Sequence, residues 1–484
     1  MTTYPTVMQA GGVSLSLIVT GKHPSYDNGQ TPHSPAGVAA FARMAAELTR
    51  HFPAVRSIEI GNEFNSQDFV RGPVRDADLV LRADYYMALL KAAHSRIKAV
   101  NPDTRVIGGA VLGIPAGYLA HLFAAGAADY MDALALHPYT TPVEQLSRQI
   151  SVLRQIDGAG SIPIEITEFG DSDPHTAPAR LLKGHCQFAL SGVTRLVWYP
   201  LSNRGDGMAP LLSDTGKLTA VGKAYRFIQA ELLEHKVRNA SPDPFTYGCY
   251  YGPNKLVIWG EPREIRPGSE LQVFTATGME MMGKTINLSM DQPIVIISKT
   301  PIVIGENLTL AEQEILADSF HQYAYPRDGE IRAETDAFER FTRRRNREVP
   351  LVTHMGQTGP GTMWTPSLAD PGDGFVRLTA QILRPAGSAA APVEIVHRYR
   401  TETTQIVDVS AFFSPRPASI DGVHLVIRLN GRNLANRILT GPYHFKRAAL
   451  SLEPGDMLEF SVGPNSSATG DVTDYRITLR RTDG

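Results

Sequence analysis

Two strand-like segments of this chain each run out into a glutamate. Ser57-Ile58-Glu59-Ile60-Gly61-Asn62-Glu63-Phe64-Asn65 ends in Asn-Glu, and Ile162-Pro163-Ile164-Glu165-Ile166-Thr167-Glu168-Phe169-Gly170 ends in Glu. Two carboxyl groups at such ends can share one reaction between them. One keeps a proton for a departing oxygen while the other, ionised, attacks carbon. Cleavage of a glycosidic bond with retention needs this pair across about 5–5.5 Å, a gap too small for an intervening water. Their surroundings must also push the two pKa values apart. Glu59 and Glu165 are the internal contrast. Strand parity puts Glu59 on the side of Glu63, as a buried and paired group, and neither residue is given a direct catalytic role.

For the two glutamates to meet, their strands must belong to one sheet. The first 235 residues alternate short apolar runs with amphipathic helical stretches. Strands are expected at Val13–Thr20, Ser57–Gly61, Val106–Ala110, Ala133–His137, Ile162–Thr167 and Arg195–Tyr199. Helices are expected at Pro35–His51, Ala77–Val100, Tyr118–Ala125, Val143–Asp157, Ala177–Ser191 and Leu218–Glu234, the second stopping at Asn101-Pro102. Strict alternation implies a parallel sheet under helices, and the repeat length suits a (β/α)8-type barrel. Strand-to-loop junctions on one end of such a barrel carry its chemistry, which places Glu63 and Glu168 on opposite walls of one mouth.

Only six strands can be counted, so the barrel is expected to lack its first two βα units, with Met1–Gly12 as the tail of a helix entering the third strand. Open strand edges are costly. Three explanations compete: a chain that starts late, strands supplied by another chain, or a decayed barrel. The first is preferred, and with it the loss of any export signal. Met1–Ala10 itself has no basic segment followed by an apolar one. Localisation is therefore open: secretion or the periplasm if the beginning is missing, the cytoplasm if it is not.

Composition narrows the classes. The chain has 484 residues, 43% hydrophobic and 20% charged, with 42 glycines, 34 prolines and a formal net charge of −2. That is globular, long enough for several domains, and without the basic excess that nucleic acid or an anionic membrane would ask for. No run of about 18 apolar residues is present, so no membrane insertion is expected. Arg343-Arg344-Arg345-Asn346-Arg347 is read as a solvated helix face. The only two cysteines, Cys186 and Cys249, cannot make a disulfide framework, and a single bridge between them is not expected. No Cys/His grouping has zinc spacing, so neither metal nor cofactor is called for. Gly359-Pro360-Gly361 lacks the Gly-Lys-Ser/Thr of a phosphate loop.

Further motifs make a resemblance explicit. Asn62-Glu63 at one strand end and Thr167-Glu168-Phe169-Gly170 at another, three units on, resemble clan A of the glycoside hydrolases. The stretch Ile97-Lys98-Ala99-Val100-Asn101-Pro102-Asp103, Val106-Ile107-Gly108-Gly109 and Tyr130-Met131-Asp132-Ala133-Leu134-Ala135-Leu136-His137-Pro138-Tyr139 is similar to glycoside hydrolase family 39, the β-xylosidases, α-L-iduronidases and exopolysaccharide hydrolases. The likeness covers roughly residues 13–300. It departs at Gly61, where that family usually has Trp, and at Phe64, where Pro is common. The resemblance implies that Glu63 is the acid/base and Glu168 the nucleophile of a retaining O-glycoside hydrolase. It implies that Asn62 bonds the sugar 2-hydroxyl, and that His137 and Tyr139 line the subsite, one of them bonding the nucleophile. Trp198 would be the stacking platform. The partner would be an oligo- or polysaccharide, β-linked. A non-catalytic glycan-binding descendant and a transglycosylase would use the same residues and remain alternatives.

Behind the barrel, expected at 1–238, the pattern turns to strands with Gly/Pro punctuation. A small sandwich is expected at 239–305, a mixed connecting segment at 306–372 with a charged helical stretch around Thr335–Arg345, and a second β-sandwich at 373–484. Asn430-Gly431 after an alternating run signals a two-residue hairpin. If the last sandwich binds carbohydrate, Tyr399, Tyr443, Phe445 and Trp364 are its candidate platforms. Oligomeric state is not legible.

Overall fold

A computed structural model describes residues 6, 8, 10–233, 236–345, 347–359 and 362–482. Glu234, Asn346, Pro360, Gly361 and most of Met1–Ala10 lie outside the described residues.

Six strands form one parallel sheet in sequence order: β1 (Leu15–Val19), β2 (Val55–Ile60), β3 (Arg105–Leu112), β4 (Ala133–His137), β5 (Ile164–Phe169) and β6 (Val193–Trp198). Helices follow them: α1 (Pro35–His51), α2 (Leu79–Val100), α3 (Ala116–Ala124), α4 (Leu146–Leu153), α5 (Ala177–Leu190) and α6 (Ala220–Glu231). The sheet curls into a partial barrel and does not close. Among the described residues no strand pairs with the outer edge of β1 or β6. Burial follows from this. Every residue of central β4 is buried, whereas β6 is mostly half-buried and Ile18 of β1 is 41% exposed.

The helices start where local chemistry lets them. Ser34, Asp78 and Thr219 each accept a backbone N–H in the first turn, from Gly37 (3.1 Å), Leu81 (2.8 Å) and Gly222 (3.1 Å). α1 adds Pro at its first position and buries Phe41, Ala42, Ala45, Ala46 and Thr49 along one face.

An antiparallel sandwich over Val237–Leu310 packs beside the barrel. Its Trp259 is fully buried, stacks on Tyr247 and donates to Glu144 Oε1 at 3.0 Å; Lys183 of α5 pairs with the same oxygen at 2.8 Å. Contrary to expectation, Cys186 of α5 and Cys249 of this sandwich form a disulfide, with Cα atoms 5.8 Å apart. Sequence spacing carries no signal of it, because the two residues meet only when the domains dock. The bridge closes a 63-residue separation. Chain-entropy arguments make such a link worth about 4 kcal/mol. A Cys186→Ala/Cys249→Ala variant should therefore lose about 2–5 kcal/mol in urea denaturation, and an unchanged midpoint would show the bridge to be neutral.

Two larger antiparallel sheets make the last sandwich. Most of the strands in 306–372 enter them, and the charged stretch expected to be helical is a strand, Phe338–Arg344, paired with Ala391–Arg400. Its charges misled because they are neutralised by acidic partners, one within the segment and the others across strands. Arg340 is buried against Asp336 (2.6 Å), Arg343 pairs with Glu348 and Glu459 (both 2.8 Å), and Arg344 with Asp370 (2.9 Å). Arg343 and Arg344 of the basic cluster thus sit on a paired sheet surface rather than a solvated helix face. The Asn430-Gly431 hairpin forms as expected, with φ of 49° and 79° joining Val423–Leu429 to Arg432–Leu439. No helix among the described residues is long and apolar enough to cross a membrane.

Candidate active site

Glu63 follows β2 on a clamped turn. Gly61 takes a φ of 83°, and a Cβ there would meet Phe64 at 3.2 Å and Tyr86 at 3.3 Å. A side chain there would be strained by the positive φ and crowded against both rings, which favours glycine. Phe64 packs edge-on against Tyr86, whose hydroxyl donates to Ile60 O at 3.0 Å. Asn65 bonds both backbone groups of Leu112 at the end of β3, at 2.9 and 3.1 Å. Glu63 itself has a φ of 46°, a left-handed conformation that costs a non-glycine residue about 1 kcal/mol or more and clusters at functional sites.

Glu168 reaches the same place from β5. One oxygen of Glu63, one of Glu168 and a ring nitrogen of His137 all lie within 4.8 Å of one another. Tyr139 donates its hydroxyl to Glu168 Oε2 at 2.8 Å. His137, fully buried, faces Glu63 Oε1 at 3.1 Å through Nδ1 and, through Nε2, Thr167 Oγ1 at 3.0 Å and Glu59 Oε1 at 3.3 Å. Glu59 is therefore the buried, paired partner its parity suggested. Glu165 is a separate matter, held lower in the sheet by Arg105 (2.5 Å) and Arg195 (3.6 Å).

Electrostatics follow from this crowding. Burial works against a charged His137, but hydrogen bonds to Glu59 and Glu63 and the charge of Glu168 outweigh it and push the imidazole up to about 10. The ring is then a cation near neutrality, donating from both nitrogens. Burial raises the Glu168 carboxyl above its ordinary range. The His137 cation and the Tyr139 hydroxyl pull it down, while the charges of Glu63 and Glu59 add to the rise. Burial, and next the charge of Glu168, hold the Tyr139 phenol well above its usual value, so it stays a donor.

The three close atoms also have the mutual spacing of a metal cradle. A proton on His137 and a cation in this cradle would compete for the same ring lone pair. Since the folded pKa of His137 exceeds the unfolded value near 6.5, its stabilising contribution is complete below about pH 6.5 and is lost as pH rises through about 10. Ring-nitrogen NMR at pH 8 should show a doubly protonated imidazole. A ring titrating near 6.5 would contradict this electrostatic picture.

Both glutamates open onto a cleft of about 1200 Å³, lined also by Asn62, Tyr139, Tyr199 and Arg204. Asn62 presents to this cleft a side chain whose Oδ1 is buried and has no hydrogen-bond partner among the described residues.

Two expected residues fall elsewhere. Trp198 is 4% exposed, donates to Ala209 O at 3.0 Å and packs edge-on against Phe169, so it belongs to the core. Its neighbour Tyr199 faces the cleft instead, edge-on to Tyr139 at 6.5 Å. His137 lies behind the glutamates rather than in the lining; Tyr139 hydrogen-bonds Glu168 Oε2, and His137 Nδ1 lies 3.9 Å from the same oxygen. Arg180 went unnoticed in the sequence. Half-buried over the Phe169 ring at the cleft wall, it donates to Gly170 O (2.9 Å) and Tyr139 O (2.6 Å), tying two rim loops together. Nothing in its helical surroundings marks it.

No family model matches the sequence, and no curated protein does. Solved structures do show likenesses. A family 39 glycoside hydrolase from the gut symbiont Bacteroides cellulosilyticus WH2 is similar at 18% identity, over 61% of this chain and 70% of that one, with a TM-score of 0.49. A family 39 β-xylosidase from Caulobacter crescentus is similar at 18% identity over 59% and 78%, with a TM-score of 0.41. A family 86 β-porphyranase from Bacteroides plebeius is similar at 12% identity over 92% and 82%, with a TM-score of 0.39.

Proposed function

We propose that the chain is a retaining glycoside hydrolase acting on a β-linked glycan, with Glu168 as nucleophile and Glu63 as general acid/base. The sheet is read as six strands of a (β/α)8-type barrel, followed by an adjoining sandwich and a C-terminal sandwich. The observation that carries the function is the approach of a Glu63 and a Glu168 oxygen to within 4.8 Å, nearer the separation of retaining enzymes than the wider gap of inverting ones.

Two carboxyl groups so close and so buried do not both ionise readily, so the pair shares a proton. The hydroxyl of Tyr139 favours the anion on Glu168. In this reading Glu63, whose side chain lines the cleft, supplies the proton. In the first step a Glu168 oxygen bonds the anomeric carbon, the bond from that carbon to the leaving oxygen breaks, and the Glu63 proton passes to the departing oxygen. In the second step Glu63 takes a proton from water as that water attacks the same carbon, and Glu168 leaves as carboxylate. Asn62 Oδ1 accepts a sugar hydroxyl beside the reacting carbon, where a contact that strengthens in the transition state lowers the barrier.

Incubation with activated 2-fluoro β-glycosides tests this. A glycosyl ester should form on Glu168 and be found there by peptide mass spectrometry. Turnover with no ester, or an ester on another residue, would defeat the assignment.

A further inference from the structure

Beneath the cleft, three carboxyl groups face one imidazole. His137 Nδ1 lies 3.1 Å from Glu63 Oε1 and 3.9 Å from Glu168 Oε2, and one oxygen of each glutamate and a ring nitrogen of His137 all fall within 4.8 Å of one another. A tetrahedral ion held at about 2.0–2.2 Å by nitrogen and oxygen sets its donors about 3.3 Å apart. The first separation already meets that spacing, and a rotation of the half-buried Glu168 carboxylate closes the second.

Donor type narrows the ion. One imidazole beside two carboxylates suits zinc-class divalent ions, whereas calcium and magnesium take oxygen donors and gain little from a ring nitrogen. Three protein donors with a further position open is the arrangement of exchangeable zinc sites, not of closed structural ones. Glu63, Glu168 and Tyr139 all line the cleft of about 1200 Å³, which supplies both the entry path and the open position.

The far side of the ring is built as it is in metal-bound histidines. Nε2 faces Thr167 Oγ1 at 3.0 Å and Glu59 Oε1 at 3.3 Å, so the ring can donate there and turn an Nδ1 lone pair towards the two glutamates. Glu59 is 1% exposed, and its Oε2 is buried without a hydrogen-bond partner among the described residues. Its charge sits in a pocket that holds two other carboxyl groups, and buried charges of this kind are paired or coordinate metals. The ion displaces protons from the same atoms, so it is held less tightly than a structural zinc.

We propose that Glu63, Glu168 and His137 form a reversible binding site for a zinc-class divalent ion, and that the ion, seated on the acid/base and the nucleophile together, keeps the enzyme inactive until a chelator or a competing ligand removes it. The inhibition rests on the hydrolytic reading of the cleft; the binding does not.

Protein freed of metal by dialysis against a chelator is titrated with zinc chloride near neutral pH. One ion per chain should bind and raise the melting temperature, and cobalt(II) in its place should give the visible bands of a four-coordinate site. Glu63→Gln and Glu168→Gln, which keep the side-chain shape, should each weaken zinc by more than about tenfold. Zinc should also shift the His137 ring-nitrogen resonances of the unsubstituted protein, a readout that stands even where a variant fails to fold. No zinc bound at micromolar concentrations, resonances left unmoved, or equal affinity in both folded variants would overturn the proposal. On aryl β-glycosides zinc should raise the apparent KM, and a chelator should restore the rate. Full activity at saturating zinc would sink the metal site and leave the hydrolase intact. Zinc bound at the cluster of a protein that, metal-free, neither cleaves glycosides nor forms the ester on Glu168 would sink the hydrolase and leave the site standing.

Discussion

Glu168→Ala should lower kcat/KM on aryl β-glycosides by on the order of 10⁴–10⁶-fold, since removing the group that bonds the substrate abolishes the covalent route. The loss should be the same for good and poor leaving groups, because no amount of leaving-group help replaces the attacking oxygen. Truncation also empties the space beside Tyr139 and His137. Azide is small enough to enter it, and in its presence activity on dinitrophenyl glycosides should return with a glycosyl azide of inverted configuration as product. Inversion is the informative part, as it shows that the small anion attacks from the face Glu168 vacated. A variant that keeps more than about a tenth of wild-type activity would remove Glu168 from the nucleophile's role. Thermal melting of the variant separates loss of chemistry from loss of fold, since Glu168 bonds one hydroxyl and sits at the edge of the buried cluster.

Glu63→Gln should behave differently. For substrates whose leaving oxygen needs a proton, the loss should be about 10²–10⁴-fold. For dinitrophenyl glycosides the first step should be nearly intact, and the glycosyl-enzyme should accumulate because no base activates water in the second. Azide, which needs no such base, should restore turnover with retained configuration. An equal loss on all substrates would mean that Glu63 positions His137 rather than supplying a proton. The neighbouring network makes that alternative concrete, since His137 Nδ1 reaches Glu63 Oε1 at 3.1 Å.

Much of the barrel was open to reading from the chain. Pro35–His51 is a helix at the expected residues, and Ala133–His137 a strand at the expected residues. Such segments carry strong local signals: a capping serine, a proline at the first turn, an unbroken apolar run. The positions of Glu63 and Glu168 at the ends of β2 and β5 were equally accessible, because strand termini are written in local pattern. Facing was harder. Trp198 and Tyr199 alternate along β6, and choosing between them needs the direction of a strand that ends in an irregular loop. The chain put the buried ring first and the cleft-lining one second. Thr335–Arg345 failed for a related reason, because its charges are satisfied by Glu348, Glu459, Asp370 and Asp373, partners visible only across strands.

By itself, then, the amino-acid order determined a sheet of alternating strands and helices, two glutamates at one rim, and a turn of β-sandwich material behind them. These depend on contacts within a few residues, which periodicity and capping record. Tertiary structure decided what needs residues far apart to meet. It brought the two carboxyl groups within reach of His137 and withdrew that histidine behind them. It joined Cys186 to Cys249. Each of these rests on docking between elements whose sequence separation leaves no local trace, and whose energies come from burial and charge pairing rather than from propensity.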